Sequence, residues 1–307
     1  MQESALEAGR ELTGLSSDEC YSDYTQALGE SGADCVIICT PTIHHVPMAK
    51  QAMERGLPVL VEKGMAPNWD TACEAVNFAR ENKGVFCVSQ NYRYNGLERT
   101  LHRLLHTPDD PASIGEPYQM DHIQHRARPE PRTLNYPFAS VWDMSCHHFD
   151  NFLFWFGPIA EMTAHAFEAP WSKYPHPNNT SAILRFESGV MVNYFHGHDS
   201  ARNSFYLGLH GKLGAVIAGR DAGGKQMLEF SKRPAEQFGS TDVCPVPFAE
   251  ASNEAGVLAD FFAYIDEGVE PGISGNNNLE VMALCQMMVI SCEEARAVRR
   301  SDLAGGI

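Results

Sequence analysis

A regular alternation of short apolar runs and helical segments constrains the fold of this chain more than any other feature. Three β-branched apolar runs predict buried parallel strands: residues 35–39, 58–61 and 85–88. Helical patterns precede and separate them, at about residues 1–14, 47–55 and 69–82. This order indicates right-handed βαβ units, which form a parallel sheet covered by helices.

The pattern changes after about residue 91. Runs that alternate with a period of two predict a large, mostly antiparallel sheet: residues 118–124, 162–167, 181–186, 190–196 and 205–210. Helices are predicted at about residues 97–105, 143–156, 255–267 and 278–297. We therefore expect two domains, a parallel α/β lobe over residues 1–94 and an α+β domain with an open-faced sheet over residues 95–307.

Composition excludes several functional classes. The chain has 39 acidic and 23 basic residues and a net charge of −16, which disfavours binding to nucleic acid or to anionic membranes. The sequence contains no run of 18 apolar residues, so no membrane span is predicted. The first 25 residues contain no apolar stretch typical of a secretory signal. The nine cysteines form no Cys-x-x-Cys pair, so we expect reduced thiols and a cytoplasmic location.

The motif that usually binds dinucleotide phosphates is missing. Parallel lobes of this kind place the pyrophosphate on a G-x-G-x-x-G turn after the first strand, and this sequence contains no such turn. The run from Gly208 to Gly214 has the wrong spacing and lies in the antiparallel half. The parallel lobe is therefore predicted to be an incomplete Rossmann-type lobe.

Two strand ends of the parallel lobe carry residues suited to chemistry. Thr40 and Pro41 follow the first strand, and Glu62, Lys63 and Gly64 follow the second. Ligands of open parallel sheets bind beyond the carboxyl ends of the strands. A lysine at this position can act as an acid or orient a hydroxyl group, although an exposed Glu–Lys pair remains the simpler alternative.

Asp143 and His147 lie four residues apart on a predicted helix, hence on one face. A carboxylate one turn away can fix the tautomer of an imidazole, which would suit a general base. A buried histidine without a catalytic role is the alternative. His148 and Asp150 share the same turn, but no third ligand follows at a recognisable spacing, so no metal site is expected.

Histidines and arginines are concentrated in the second half. Eleven of the 13 histidines lie between residues 102 and 210. Several fall in or beside predicted strands, where alternation could put some of them on one open, polar face that binds substrate: His122, His196, His198 and His210. Scattered, singly hydrogen-bonded histidines are the simpler alternative. A proline-rich loop is predicted to carry three arginines that could bind a carboxylate or phosphate, or could simply be solvated: Arg126, Arg128 and Arg132.

Taken together, these blocks resemble the glucose–fructose oxidoreductase, inositol dehydrogenase and rhizopine-catabolism (Gfo/Idh/MocA) family. Residues 33–63, which include Thr40-Pro41 and Val59-Leu-Val-Glu62-Lys63, resemble its second conserved block. Asn91-Tyr-Arg93-Tyr94 and the segment from Trp142 to Gly157 resemble two later blocks, the second being its D-x-x-x-H helix. The ending Glu294–Arg300 is also similar, so the resemblance covers nearly the whole chain.

The resemblance implies a catalytic set. Lys63 would lie near the nicotinamide and the reacting hydroxyl, His147 would be the general base or acid, and Asp143 would orient it or bind a hydroxyl. The cofactor would contact residues of the second block: Thr40, Pro41, His45, Glu62 and Lys63. The substrate would contact residues of the later blocks and the arginine segment: Asn91, Arg93, Trp142, His148 and Arg126.

The implied reaction is reversible hydride transfer between NAD or NADP and a sugar or cyclitol carbon. Homodimers or homotetramers through the C-terminal sheet are implied as well. Two alternatives stay open: a cofactor-independent acid–base enzyme on a sugar-like substrate, and a non-catalytic subunit.

Three departures from the family pattern lead to further expectations. The family pattern begins with a strand, the glycine-rich turn, a helix and a second strand, and this unit is missing ahead of Met1. Its absence predicts weakened or lost cofactor binding. It also predicts that residues 35–39 form an exposed edge strand. Gly64 replaces the usual proline after Glu62-Lys63, which predicts a less constrained backbone there. Phe138–Trp142 replaces a glycine-rich approach to Asp143 and predicts a changed pocket.

Overall fold

A computed structural model of the chain describes residues 3–131, 134–220, 224–234 and 242–303. The N-terminal lobe contains a parallel sheet of three described strands in the order β1 (Val36–Ile38), β2 (Val59–Glu62) and β3 (Phe86–Ser89). Its helices are α1 (Glu3–Thr13), α2 (Tyr24–Glu30), α3 (His45–Met53) and α4 (Trp69–Glu81). The predicted strand and helix alternation is confirmed.

Strand β1 lies at the edge of the described sheet, as expected. Ile38 is buried against the core, whereas Ile37 on the other face remains half exposed. Strands β2 and β3 are almost wholly buried because helices cover both faces, which explains their continuous apolar sequence.

The C-terminal domain is built on a mixed sheet of nine described strands. Its strands are β4 (Pro117–Ala127), β5 (Ile159–Phe167), β6 (Asn179–Phe186), β7 (Met191–Gly197), β8 (Asp199–Gly211), β9 (Gly214–Arg220), β10 (Gln226–Lys232), β11 (Val243–Pro245) and β12 (Val298–Arg299). They are arranged in the order β11-β10-β9-β8-β4-β7-β6-β5-β12. All pairs are antiparallel except β4 with β7, so the prediction of a mostly antiparallel sheet is confirmed.

One face of this sheet is open to solvent. Buried and exposed residues alternate along β6, so one face packs on the core while the other carries exposed side chains such as Ile183. The helices of the domain are α5 (Gly96–His106), α6 (Cys146–Phe156), α7 (Asn253–Glu267) and α8 (Gly275–Glu294). Helix α8 is largely buried and packs against α4, α6 and β5, so it ties the two lobes together.

The structure corrects two details of the sequence analysis. The predicted helix over residues 143–156 is a π-helical turn, Val141–Ser145, followed by α6. Arg126 lies in strand β4 rather than in a loop, while Arg128 follows the strand and Arg132 lies outside the described residues. Helix α2 and strands β9–β12 were not predicted because their sequences are short or mixed in polarity. No helix in the described ranges is long and apolar enough to cross a bilayer.

Candidate active site

The carboxyl ends of the parallel strands face the start of α6 across a cavity of about 610 Å³. Lys63, Asp143 and His147 all line it, together with residues that follow strand β4, including Arg128. The three residues to which sequence analysis assigned catalytic roles are therefore neighbours, although 80 residues separate Lys63 from Asp143. We call this space the Lys63 cavity.

Lys63 is held at the cavity wall by hydrogen bonds to Asp143 and Glu62. Its Nζ donates a hydrogen bond of 2.9 Å to the carbonyl oxygen of Asp143. Its own amide donates to the Glu62 carboxylate at 3.1 Å, so the strand end is stabilised locally. An ammonium group has three N–H donors, and two remain for a ligand in the cavity.

The π-helical turn determines where Asp143 points. A π turn inserts an extra residue into a helix, so residues four apart no longer share one face, and such turns often occur at functional sites. The Thr42 hydroxyl donates to Asp143 Oδ1 at 3.4 Å, and no hydrogen bond joins Asp143 to His147 in the described structure. Burial raises the pKa of Asp143, although Tyr136, Lys63 and Thr42 each lower it. Of its two implied roles, this geometry favours binding a hydroxyl over orienting the imidazole.

His147 is buried and neutral. Its ring stacks on Tyr92 with a centroid distance of 4.0 Å and an interplanar angle of 8°. Burial, with the charges of Lys63 and Arg126, lowers the pKa of His147 to about 3. Its Nδ1 atom has no hydrogen-bond partner among the described residues. A neutral ring held by stacking can accept a proton from a group in the cavity.

The residues assigned to the cofactor lie at the ends of β1 and β2. Pro41 begins a 3-10 turn, Thr42–His44, directly after Thr40. His45 is fully buried, with Nε2 2.8 Å from the Thr40 carbonyl oxygen and Nδ1 2.8 Å from that of Gly64. His45 therefore links the two strand ends and fixes their separation.

The residues assigned to the substrate are more dispersed. Arg93 forms a bidentate ion pair with Asp150. It lines a separate cavity of about 900 Å³. Asn91 donates to Glu254 of α7 at 2.9 Å, and Trp142 packs in the main core. None of these three lines the Lys63 cavity.

His148 and Arg126 belong to a buried polar region behind the cavity. His148 Nδ1 lies 2.9 Å from the Tyr194 hydroxyl, which donates to Ser145 Oγ at 2.8 Å. These bonds fix the ring of His148 in the interior, where it is 3 % exposed. The positive charge of Arg126 contributes to the lowered pKa of both His147 and His148.

Four histidines pack on one another beside this region: His122, His148, His196 and His198. We call them the histidine cluster. Burial is the largest cause of the lowered pKa of each, and it brings those of His122 and His198 to about 4. Of the strand histidines expected on one open face of the sheet, His122, His196 and His198 do share a face, but it is buried rather than open, and His210 is absent from the cluster.

Two functional candidates, Tyr92 and Thr42, were missed from the sequence. Tyr92 lies inside the Asn91–Tyr94 block, and Thr42 follows Thr40-Pro41 by one residue. Their proximity to those motifs was the only available signal, because aromatic stacking and a hydroxyl contact leave no periodic pattern.

Comparisons with known proteins agree with this architecture. Residues 2–90 match the model of an oxidoreductase family with an NAD-binding Rossmann fold, and residues 112–299 match its C-terminal α/β domain. Inositol 2-dehydrogenase 4 of Saccharopolyspora erythraea is 27 % identical over 195 residues, 60 % of this chain and 54 % of the relative. The matched region thus spans about half the length of that relative.

D-apiose dehydrogenase of Paraburkholderia graminis is 24 % identical over 93 % of this chain and 78 % of its own. A putative NADPH-dependent oxidoreductase of Desulfitobacterium hafniense has the same fold, with a TM-score of 0.84 and 18 % identity. That likeness covers 98 % of this chain and 88 % of the other. Because the two family models together match most of its length, this chain belongs to the Gfo/Idh/MocA oxidoreductase family.

Proposed function

We propose that this protein is an NAD(P)-dependent dehydrogenase that oxidises a CH–OH group of a sugar or cyclitol in the Lys63 cavity. The observation that carries the proposal is the convergence of Lys63, Asp143 and His147 on one cavity at the carboxyl ends of parallel strands. Inositol and apiose dehydrogenases among the relatives support the substrate class. A homodimer or homotetramer formed through the open sheet remains a prediction.

The residues present fit the nicotinamide end of the cofactor. Thr40 and Pro41 follow the end of β1, and Glu62 is the last residue of β2. Just beyond β3, the Gln90 side chain is buried with neither its nitrogen nor its oxygen hydrogen-bonded among the described residues. A buried amide of this kind requires a polar partner, and a ligand in this crevice could supply it. No glycine-rich phosphate turn occurs in the sequence, so the diphosphate would depend on other contacts.

In this mechanism Lys63 and Asp143 position the substrate, and His147 accepts the proton of the reacting hydroxyl. Lys63 donates an N–H to the hydroxyl oxygen, and the Asp143 carboxyl group binds a neighbouring hydroxyl. The neutral His147 accepts the hydroxyl proton while the carbon–oxygen double bond forms. A bound nicotinamide supplies the hydride acceptor. Stacking on Tyr92 keeps the imidazole plane fixed during the transfer.

The test is a turnover assay with NAD⁺ and NADP⁺ across sugars, cyclitols and their acids, read by absorbance of the reduced nicotinamide. We expect His147→Gln and Lys63→Met to lower kcat by about 100-fold or more. Lys50→Met is the matched control, because Lys50 pairs with Glu74 at the surface and should leave kcat unchanged. Full activity of His147→Gln, or no turnover of any compound by the wild type, would refute the proposal.

A further inference from the structure

We propose that the substrate carries an anionic oxygen group, a carboxylate or a phosphate, which Arg126 and Arg128 bind beside the Lys63 cavity. This inference rests on the proposed function and narrows its substrate class to acidic sugars or cyclitols. It depends on two guanidinium groups that have no ion-pair partner in the described residues, although they lie next to the catalytic candidates.

Arg128 is fixed by its backbone and not by its side chain. Its amide donates to the His198 carbonyl oxygen at 3.1 Å, and its own carbonyl accepts from the Tyr174 hydroxyl at 2.9 Å. Arg128 lines the cavity that Lys63 and His147 also line. Among the described residues, the one side-chain partner of this group is the sulfur of Met144, at 4.0 Å. The backbone is thus positioned, while the charged group is available to a ligand.

Arg126 lies at the end of β4 with part of its guanidinium buried. Its Nε atom is inaccessible to solvent and has no hydrogen-bond acceptor in the described structure. A buried N–H without an acceptor is costly, so such donors in native proteins are completed by a ligand or an ordered water. After burial and Lys63, the charge of Arg126 contributes to the lowered pKa of His147.

The neighbouring histidines do not add to this positive charge. Burial and the two arginines lower the pKa of His196 and His198, so both rings are neutral near pH 7. All four of their ring nitrogens are buried without a partner among the described residues. Neutral imidazoles both donate and accept hydrogen bonds, a property suited to hydroxyl groups.

Few acidic groups offset the arginines. Glu130 lines the same cavity, but it pairs with Lys173 at 2.6 Å. Glu98 shares a second cavity with Arg126, and burial raises its pKa to about 7. Asp143, which faces Lys63, is the remaining acidic group that lines the Lys63 cavity in the described residues. The site is therefore locally positive in a chain whose net charge is −16.

Positive charge at this position has a defined use. Guanidinium groups bind carboxylates and phosphates through two parallel hydrogen bonds, which orient as well as attract the ligand. Held at one end in this way, a polyhydroxylated acid would place a hydroxyl-bearing carbon near Lys63 and His147. The two arginines thus favour sugar acids or sugar phosphates over neutral sugars.

The test is calorimetric titration of the full chain with matched probes: gluconate and glucuronate for carboxylates, glucose 6-phosphate for phosphates, and glucitol and glucose as neutral counterparts. We expect at least one anionic probe to bind about tenfold or more tightly than its neutral counterpart. Arg128→Ala should abolish that preference, and Arg128→Lys should restore only part of it. Arg185→Ala is the control, because Arg185 on strand β6 pairs with Glu161 and lines neither the second cavity nor the Lys63 cavity.

A preference for carboxylate or for phosphate identifies which group is recognised. Equal affinity for anionic and neutral probes, unchanged preference in Arg128→Ala, or no binding of any anionic probe at about 10 mM would overturn the inference. The proposed function is judged separately by nicotinamide reduction. An acid that binds through Arg128 without turnover would refute the dehydrogenase activity and leave the anion site intact.

Discussion

The ion pair between Arg93 and Asp150 is expected to be the interaction most sensitive to substitution near the site. Arg93 Nε donates to Oδ2 at 2.9 Å and Nη2 to Oδ1 at 2.5 Å. The two side chains are only 13 % and 1 % exposed. Asp150→Asn keeps the shape but removes the charge, so the buried guanidinium loses its counter-ion. Breaking one partner of a buried pair costs about 3–5 kcal/mol of unfolding free energy.

The same change should also reduce activity. Arg93 lies in the 3-10 turn Asn91–Tyr94, and Tyr92 of that turn stacks on His147. Loosening the turn is therefore expected to disturb the position of the His147 imidazole. Urea unfolding followed by tryptophan fluorescence would measure the stability loss, and the turnover assay would measure its effect on kcat.

Two further variants make this prediction decisive. Glu74→Gln alters the exposed pair with Lys50 and should cost no more than about 0.5 kcal/mol. Replacing both partners, as Arg93→Met with Asp150→Leu, should recover much of the stability, since no buried charge is then left alone. A loss below about 1 kcal/mol for Asp150→Asn, similar to that of Glu74→Gln, would refute the reasoning.

Three other predictions follow from the packing of the site. The histidine cluster is neutral in the folded state and gains protons on unfolding, so the unfolding free energy should fall as the pH drops from about 6.5 towards 4. The loss should reach up to about 1.4 kcal/mol per histidine per pH unit, and equal urea midpoints at pH 5 and pH 7 would contradict this. In Gly64→Ala, the added Cβ would lie 2.8 Å from the Trp142 carbonyl oxygen, so we expect the unfolding free energy to fall by about 1–3 kcal/mol and kcat/KM to decrease. Unchanged unfolding and kinetics would show that the backbone shifts without cost. Tyr92→Leu removes the stacking partner of His147 and should lower kcat by about tenfold, whereas Tyr118→Leu, at an exposed strand position, should not; equal effects of the two variants would exclude a role for stacking.

The sequence was sufficient to predict the layered architecture. Continuous apolar runs such as Val59–Val61 indicate a strand that is buried on both faces. Runs with a period of two, such as Asn179–Phe186, indicate a strand that is buried on one face. Those local signals predicted the parallel lobe, the large second sheet and most helices. The short strand β12 was missed because two residues carry no period.

The site could be predicted only in part. Resemblance selected Lys63, Asp143 and His147, and the fold places them on one cavity. The spacing of Asp143 and His147 suggested a shared helix face, but the π-helical turn directs the carboxylate towards Thr42. Such a turn depends on tertiary packing and has no reliable sequence signal. That Arg126 and Arg128 lack ion-pair partners among the described residues could be learned only from the fold, which shows the carboxylates near them.

The most direct test of hydride transfer at the Lys63 cavity follows a deuterium atom. The best substrate of the turnover panel would be prepared with deuterium on its carbinol carbon, and the reduced nicotinamide analysed by mass spectrometry. We predict one deuterium per nucleotide reduced by the wild type, and almost none formed by His147→Gln although that variant still binds the nucleotide. Reduced nucleotide without deuterium, or the same labelled yield from His147→Gln, would contradict the account.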